Sequence, residues 1–295
     1  MHYDETIYRP PLEANTILLQ VTSGCSHNNC TYCGMYKDIK FEMTSLAQIE
    51  EDLKELITLN TTIKRIYLLN GDPFSLSAER LKTIALLIKK YLPKCKTISM
   101  YASIKGIKTK TIEELRELKS LGIGDLYIGL ESGNDEVLKN INKGTTAKET
   151  KAQMQRLNEV GIRFFSIIMY GVAGKDKGIA NAIDTAKLLN EVKSKGIFPM
   201  SLTLVPGTKL HNDYLSGDFK EASELERLIE LKTLIENLSL ENSTVFSAQH
   251  PSNTVPLSGI MPRNKQDLIA TLNKVIENTD EESLKSKFAR NKIKM

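Results

Sequence analysis

Six alternations of an apolar strand-like run with an amphipathic helix place this sequence in the α/β class. The architecture they predict is a partial (β/α)6 TIM-like barrel, with a C-terminal helical or irregular extension closing its mouth. Three observations predict it. The first is the alternation itself, because short right-handed crossovers between such units build a parallel sheet. The second is a set of helix starts in which Ser or Thr is followed three residues later by Gln or Glu: Ser45/Gln48, Thr111/Glu114, Thr146/Glu149 and Ser223/Glu226. The third is glycine at Gly122, Gly161 and Gly196, where a helix is expected to end just before a strand. The pattern alone also admits a doubly wound open sheet.

The elements follow in order. Arg9-Pro10-Pro11 is a stiff extended lead-in. The first strand is expected over residues 17–22, and the helix after Ser45 buries Leu46, Ile49, Leu53, Leu56 and Ile57. Strand two covers 65–70, and its helix buries Leu81, Ile84, Ile88 and Tyr91. Strand three covers 97–102, strand four 125–129, strand five 163–169 and strand six 198–205, with a helix over 179–195 between the last two. Ser223 starts a further helix reaching about Leu238. Residues 1–208 form the expected core and 209–295 the extension packed on it.

Composition bounds the function. Of 295 residues, 41% are hydrophobic and 26% charged, which suits one sizeable globular core. The net charge of +4 is too small to imply nucleic acid by itself. No apolar run approaches the roughly 18 residues of a membrane span. Met1-His2-Tyr3-Asp4-Glu5 has neither a basic n-region nor an apolar h-region, so no signal peptide and a cytoplasmic location are expected. The tail from Lys285 to Met295 carries Lys285, Lys287, Arg290, Lys292 and Lys294 without an acid, the pattern of a solvated terminal helix.

The chemistry concentrates after strand one. Cys25, Cys30 and Cys33 fall within nine residues of a polar loop, which marks thiolate ligands or a redox pair rather than scattered core cysteines. Zinc would take these three with His27. An iron–sulfur cube would take the three thiolates and leave one iron open. The C-x4-C-x2-C spacing also opens the plant-type ferredoxin pattern, which needs a fourth, distant cysteine. Cys95 lies at the amino end of strand three, about 20 Å from the opposite rim, so that pattern fails. With Cys95 the only cysteine left, a second cysteine-bound cluster cannot be assembled from this chain.

With Tyr32 just before its last cysteine, this loop resembles the cluster loop of radical S-adenosylmethionine (SAM) enzymes, whose usual spacing is C-x3-C-x2-C. Further segments at the carboxyl ends of strands, where α/β folds bind ligands, match the same family. Asn70-Gly71-Asp72-Pro73 stands where the family has Gly-Gly-Glu. Gly129-Leu130-Glu131-Ser132-Gly133 resembles its Gly-x-Glu-Ser-Gly segment, and Gly171-Val172-Ala173-Gly174 its Gly-x-x-Gly turn.

The resemblance implies a [4Fe-4S] cluster on Cys25, Cys30 and Cys33. It implies SAM bound by Tyr32, by the Gly71 carbonyl and Asp72 at its ammonium, and by Glu131 and Ser132 at its ribose or amino-acid part. Lys143 would meet the SAM carboxylate, and Gly171 and Gly174 would admit the adenine. Reductive cleavage of SAM would give a 5′-deoxyadenosyl radical that abstracts hydrogen from a substrate. An external donor such as flavodoxin or ferredoxin would supply the electron. Without a visible RNA-binding domain, the expected substrate is a small molecule. The other readings are an RNA-modifying radical SAM enzyme and a zinc-bound interaction module. The polar segment 246–254 is expected to close the barrel mouth as a loop, with His250 and Asn253 as catalytic residues that orient substrate.

Overall fold

The computed structural model describes residues 1–3, 6–58 and 62–287, so the part of the basic tail from residue 288 onward lies outside the described residues. Its strands are β1 (Ile17–Gln20), β2 (Thr22–Ser23), β3 (Glu42–Met43), β4 (Arg65–Leu69), β5 (Thr97–Ala102), β6 (Ile123–Glu131), β7 (Phe164–Tyr170), β8 (Gly196–Ser201), β9 (Thr244–Ala248) and β10 (Leu257–Met261). Its helices begin with α1 (Leu46–Thr58), α2 (Ala78–Tyr91), α3 (Ile104–Lys108), α4 (Ile112–Ser120), α5 (Asp135–Asn140) and α6 (Ala147–Val160). They continue with α7 (Gly178–Asn190), α8 (Lys209–Ser216), α9 (Glu224–Asn237), α10 (Lys265–Asn278) and α11 (Glu281–Lys287).

One eight-stranded sheet runs in the order β1-β4-β5-β6-β7-β8-β9-β10, with β2 and β3 forming a separate two-stranded ribbon. Strands β1, β4, β5 and β6 are parallel neighbours, as are β8 and β9, and β10 returns antiparallel to β9. Parallel strands covered on both faces need apolar side chains on both. Accordingly, all of β4 after Arg65 is buried. The sheet is mostly parallel and unclosed, the arrangement of a partial barrel.

Several boundaries differ from the sequence expectation, each for a visible reason. Strand one stops at Gln20, because the Val21 carbonyl accepts the Thr44 N–H and Thr22–Ser23 turns away to pair with β3. Pro11 opens a 3-10 turn over Pro11–Glu13, a first-turn position that needs no N–H partner. Strand six ends at Ser201 rather than at residue 205, since the Ser201 N–H is taken by the Asn253 side chain. Gly122 and Gly161 do take the left-handed conformation at φ 97° and 70°. Gly196 does not act as a helix end: α7 stops earlier, at Asn190, and Gly196 is the first residue of β8, paired with Val245. Residues 246–248, expected as the start of the 246–254 loop, belong instead to strand Thr244–Ala248; the segment after β8 extends the sheet by β9 and β10.

Contacts divide the chain into two compact units that interleave along the sequence. The first comprises Met1–Asn28, Tyr36–Gly129 and Ala152–Phe165; the second comprises Asn29–Met35, Leu130–Lys151 and Ser166–Met295. In the first unit the amino ends of β4 and β6 are tied by charge. Arg65 donates to Glu13, which is fully buried, and to Asp125, and Asp125 also accepts from Arg163. The Tyr127 hydroxyl donates to Glu13 at 2.8 Å. Burial alone would raise the Glu13 carboxyl, but hydrogen bonds from Arg65, Thr16 and Tyr127 hold it below the ordinary range. In the second unit, helix α9 begins with the expected capping box of Ser223 and Glu226.

Candidate functional site

In the first unit, the loop after β1 and the loop after β4 are built against each other. The Gly71 N–H donates to the Gly24 carbonyl at 3.0 Å. A Cβ on Gly71 would lie 2.7 Å from the Cys25 Cβ and 2.8 Å from the Tyr36 ring, so only glycine fits beside the first cysteine. Asp72 is 1% exposed. Its Oδ2 accepts from the Ser26 hydroxyl at 2.5 Å and its Oδ1 from the Ser103 N–H at 3.0 Å. Burial pushes its carboxyl up, against the pull of those bonds and of Lys110. Asp72, expected as the acceptor of the SAM ammonium, thus accepts one hydrogen bond on each oxygen and braces Ser26, the residue next to Cys25. Lys110, also buried, fastens the same region by donating to the carbonyls of Phe74, Leu76 and Gly106.

In the second unit, the remaining cysteines sit in a loop held from two sides. The Thr31 N–H donates to the Ile141 carbonyl at 2.9 Å, and the Leu210 N–H donates to the Thr31 carbonyl at 2.8 Å. Tyr32 packs on an apolar cluster of Val137, Ile141 and Val172. Its hydroxyl bonds to Glu131, and burial followed by that neighbouring carboxylate holds the phenol well above its usual range. Glu131 ends β6 at φ +62°, a left-handed conformation that a glutamate rarely takes. Its Oε1 accepts from Lys143 Nζ at 2.8 Å, in a pair only 7% and 18% exposed. Cys30 lies in the field of this pair. Burial raises its thiol, while the Lys143 cation and a hydrogen bond from Tyr32 lower it and Glu131 raises it.

The other expected residues are committed within the second unit. Ser132 is fully buried: its hydroxyl donates to Asn181 Oδ1 at 2.5 Å and accepts from the Asn134 N–H. A Cβ on Gly171 would stand 2.6 Å from the Arg227 guanidinium, so the side chain of Arg227 packs directly over this glycine. A Cβ on Gly174 would meet the Lys220 carbonyl at 2.9 Å, and Gly174 borders a cavity of about 560 Å³ whose wall also includes Asn134, Ile141, Lys175, Asn181 and Phe219. Asn253, expected as catalytic, is 5% exposed. Its Oδ1 accepts from the Tyr170 hydroxyl and the Ser201 N–H, and its Nδ2 donates to the Pro199 carbonyl. His250 is half-buried, with Nδ1 facing the hydroxyl and N–H of Ser252, and burial lowers its pKa.

Sequence reasoning missed Ser26, Asn181, Arg227 and Glu230. Ser26 and Asn181 left no pattern to find. Arg227 and Glu230 did leave one: two charges three residues apart fall on the same helix side as Leu228, Leu231 and Leu234.

Residues 19–206 match the model of the radical SAM superfamily, and the chain belongs to that family. The heme chaperone HemW of Bacillus subtilis (strain 168) is 27% identical over 64% of this chain and 50% of its own length. The ribosomal protein uS12 methylthiotransferase RimO of Caldanaerobacter subterraneus subsp. tengcongensis is 23% identical over 76% of this chain and 51% of its own. The chain thus spans about half the length of these curated relatives. Among solved structures, coproporphyrinogen III oxidase HemN from Escherichia coli superposes with TM-score 0.54 at 15% identity, over 75% of this chain and 51% of that one. Methylornithine synthase PylB superposes with TM-score 0.53 at 15% identity, over 92% and 85%. These likenesses show the partial-barrel fold.

The family's cofactors, a [4Fe-4S] cluster and SAM, are the cofactors of this chain. The donor set fits a cluster. All four cysteines are free thiols, and the three of the loop are partly accessible while Cys95 is buried. Burial raises the Cys30 thiol on balance, and the Lys143 cation and Tyr32 hydroxyl beside it oppose that rise, the direction of the thiolate that a metal binds. Among the described residues no three His, Cys, Asp or Glu side chains converge on one metal ion, and no helix is long and apolar enough to cross a membrane.

Proposed function

We propose that this protein is a radical SAM enzyme that acts on a small-molecule substrate. In this reading Cys25, Cys30 and Cys33 hold the cluster, and Glu131 and Lys143 bind the amino-acid part of SAM. The observation that carries it is the pairing of Glu131 and Lys143 beside Cys30, in a segment the family uses for SAM. When bound, the cluster and SAM supply a 5′-deoxyadenosyl radical once an external donor such as flavodoxin or ferredoxin provides an electron.

The chain's own residues do the positioning. Gly71 lets the loop after β4 close on Cys25, and Asp72 holds Ser26. Glu131 offers acceptors to an ammonium and Lys143 a cation to a carboxylate, so the pair can open onto a zwitterion with both charges matched. Tyr32 anchors the cysteine loop to α5 and the β7 turn and keeps a hydroxyl toward Glu131. Gly174 lets the backbone that borders the cavity close on Phe219 and Lys220, and this wall is the one the adenine would meet in this reading. His250 remains a candidate for substrate contact, because it keeps partial exposure, whereas Asn253 positions the strand ends around it.

The test is SAM binding to anaerobically reconstituted protein. Glu131→Ala and Lys143→Ala should each weaken SAM by about tenfold to a hundredfold, the worth of one charged hydrogen bond, at unchanged iron content. Unchanged affinity in both variants would place SAM elsewhere. A second reading, action on RNA, is favoured by a relative named tRNA-2-methylthio-N(6)-dimethylallyladenosine synthase, 29% identical over 47% of this chain. Tight RNA binding that falls steeply with salt would support that reading over the first.

A further inference from the structure

Helix α9 carries three buried charged residues at three-residue intervals, Glu224, Arg227 and Glu230. Burying a charge costs free energy unless it is paired and hydrogen-bonded. Each is paired, and each reaches the end of a different strand. Glu224 accepts from the Thr254 hydroxyl, in the turn between β9 and β10. Arg227 Nη1 donates to Ser201 Oγ at 2.9 Å and to the Leu202 carbonyl at 2.8 Å, where β8 ends. Glu230 Oε2 accepts from the Gly171 N–H at 2.7 Å, where β7 ends. Its Oε1 accepts from Asn181 Nδ2 at 2.7 Å, and Asn181 passes the contact on to Ser132, where β6 ends. A helix beyond the residues that match the family model therefore fixes the turns after β6 and β7.

We infer that Glu230 is a positioning residue for SAM, setting the turns after β6 and β7 through Asn181 and Gly171, and that it does so only as a carboxylate. The inference rests on the reading that SAM binds at those turns. Both oxygens of Glu230 face N–H donors, so a proton on either one weakens that oxygen as an acceptor and adds an O–H where the facing groups are themselves donors. Burial raises Glu230 to about 7, opposed by Asn181, the Gly171 N–H and Arg227 and reinforced by Glu226. Those are the groups that face it: Arg227 and Glu226 from α9, the neutral Asn181 from α7, and a backbone N–H from the β7 turn. A raised carboxyl favours the folded state most at low pH, and that contribution is lost as pH rises through about 7. Acidification from pH 8 to 6 therefore adds stability through Glu230 while removing the arrangement SAM needs. The two readouts move in opposite directions, which separates positioning from folding.

The experiment measures SAM affinity of the reconstituted holoprotein from pH 6 to 8 by calorimetry, alongside iron content and melting temperature. About one molecule in ten is ionised at Glu230 one unit below its pKa, so wild-type affinity should fall about tenfold. Glu230→Gln should give a flat profile beyond the titration of SAM itself, which both proteins share. A flat wild-type profile, or an unchanged slope in Glu230→Gln, overturns the inference and leaves the SAM site standing. No SAM binding at any pH overturns the site reading, and the inference falls with it. Should Glu230→Gln fail to fold, the near-isosteric Asn181→Asp sets a second carboxylate beside Glu230 and must move the midpoint to higher pH. A midpoint that stays in place overturns the inference.

Discussion

Serine at Cys25, Cys30 or Cys33 should each leave the anaerobically reconstituted protein without its cluster, whereas Cys95→Ser should keep about four irons per chain. The three loop cysteines are partly accessible free thiols, and Cys95 is a buried one. Burial raises the Cys95 thiol, the state of an inert core cysteine, and its thiol donates to the Thr97 carbonyl. Burial raises the Cys30 thiol as well, so what distinguishes it from Cys95 is its partial accessibility and the Lys143 cation and Tyr32 hydroxyl beside it, which oppose that rise. Iron analysis and the visible spectrum of the four variants check this. Full iron in any one loop variant would show that this cysteine is not a ligand.

Arg227→Met should lower stability by about 3 kcal/mol, the low end for breaking a buried ion pair, because Glu221 keeps access to water. Arg227 is fully buried, and its guanidinium serves the Ala222 and Leu202 carbonyls, the Ser201 hydroxyl and Glu221. Methionine fills much of the volume and satisfies none of these groups. For a chain of this size the melting temperature should fall by roughly 10 °C. A fall under about 2 °C by calorimetry would mean that water or a neighbour replaces the guanidinium. SAM affinity should fall too, because the side chain packs directly over Gly171.

The strand–helix alternation was legible because the central strands are apolar on both faces and their helices carry strong capping boxes. Thr111 and Glu114 form the reciprocal pair that the spacing predicts, as do Ser223 and Glu226. Strands β9 and β10 were not legible. Thr244–Ala248 is only five residues long and holds two polar side chains, so the burial of Thr244, Phe246 and Ala248 shows only once the strand pairs with β8 and β10. The glycines were found, but not the close approaches within the chain that also require them, Gly71 to Cys25 and Gly171 to Arg227. Polar residues at strand ends were the hardest to assign. Asp72, Ser132 and Asn253 look alike in sequence to ligand-binding groups, and whether their atoms are already paired depends on distant partners, Ser26, Asn181 and Tyr170.

The central claim is most directly tested by reducing the reconstituted wild-type protein anaerobically with dithionite in the presence of SAM and assaying the products. Methionine and 5′-deoxyadenosine should form in equal amounts, slowly without substrate, and neither should appear with the Cys30→Ser variant. Intact SAM over a fully reduced, fully loaded protein, or stoichiometric zinc in place of iron after reconstitution, would contradict the account.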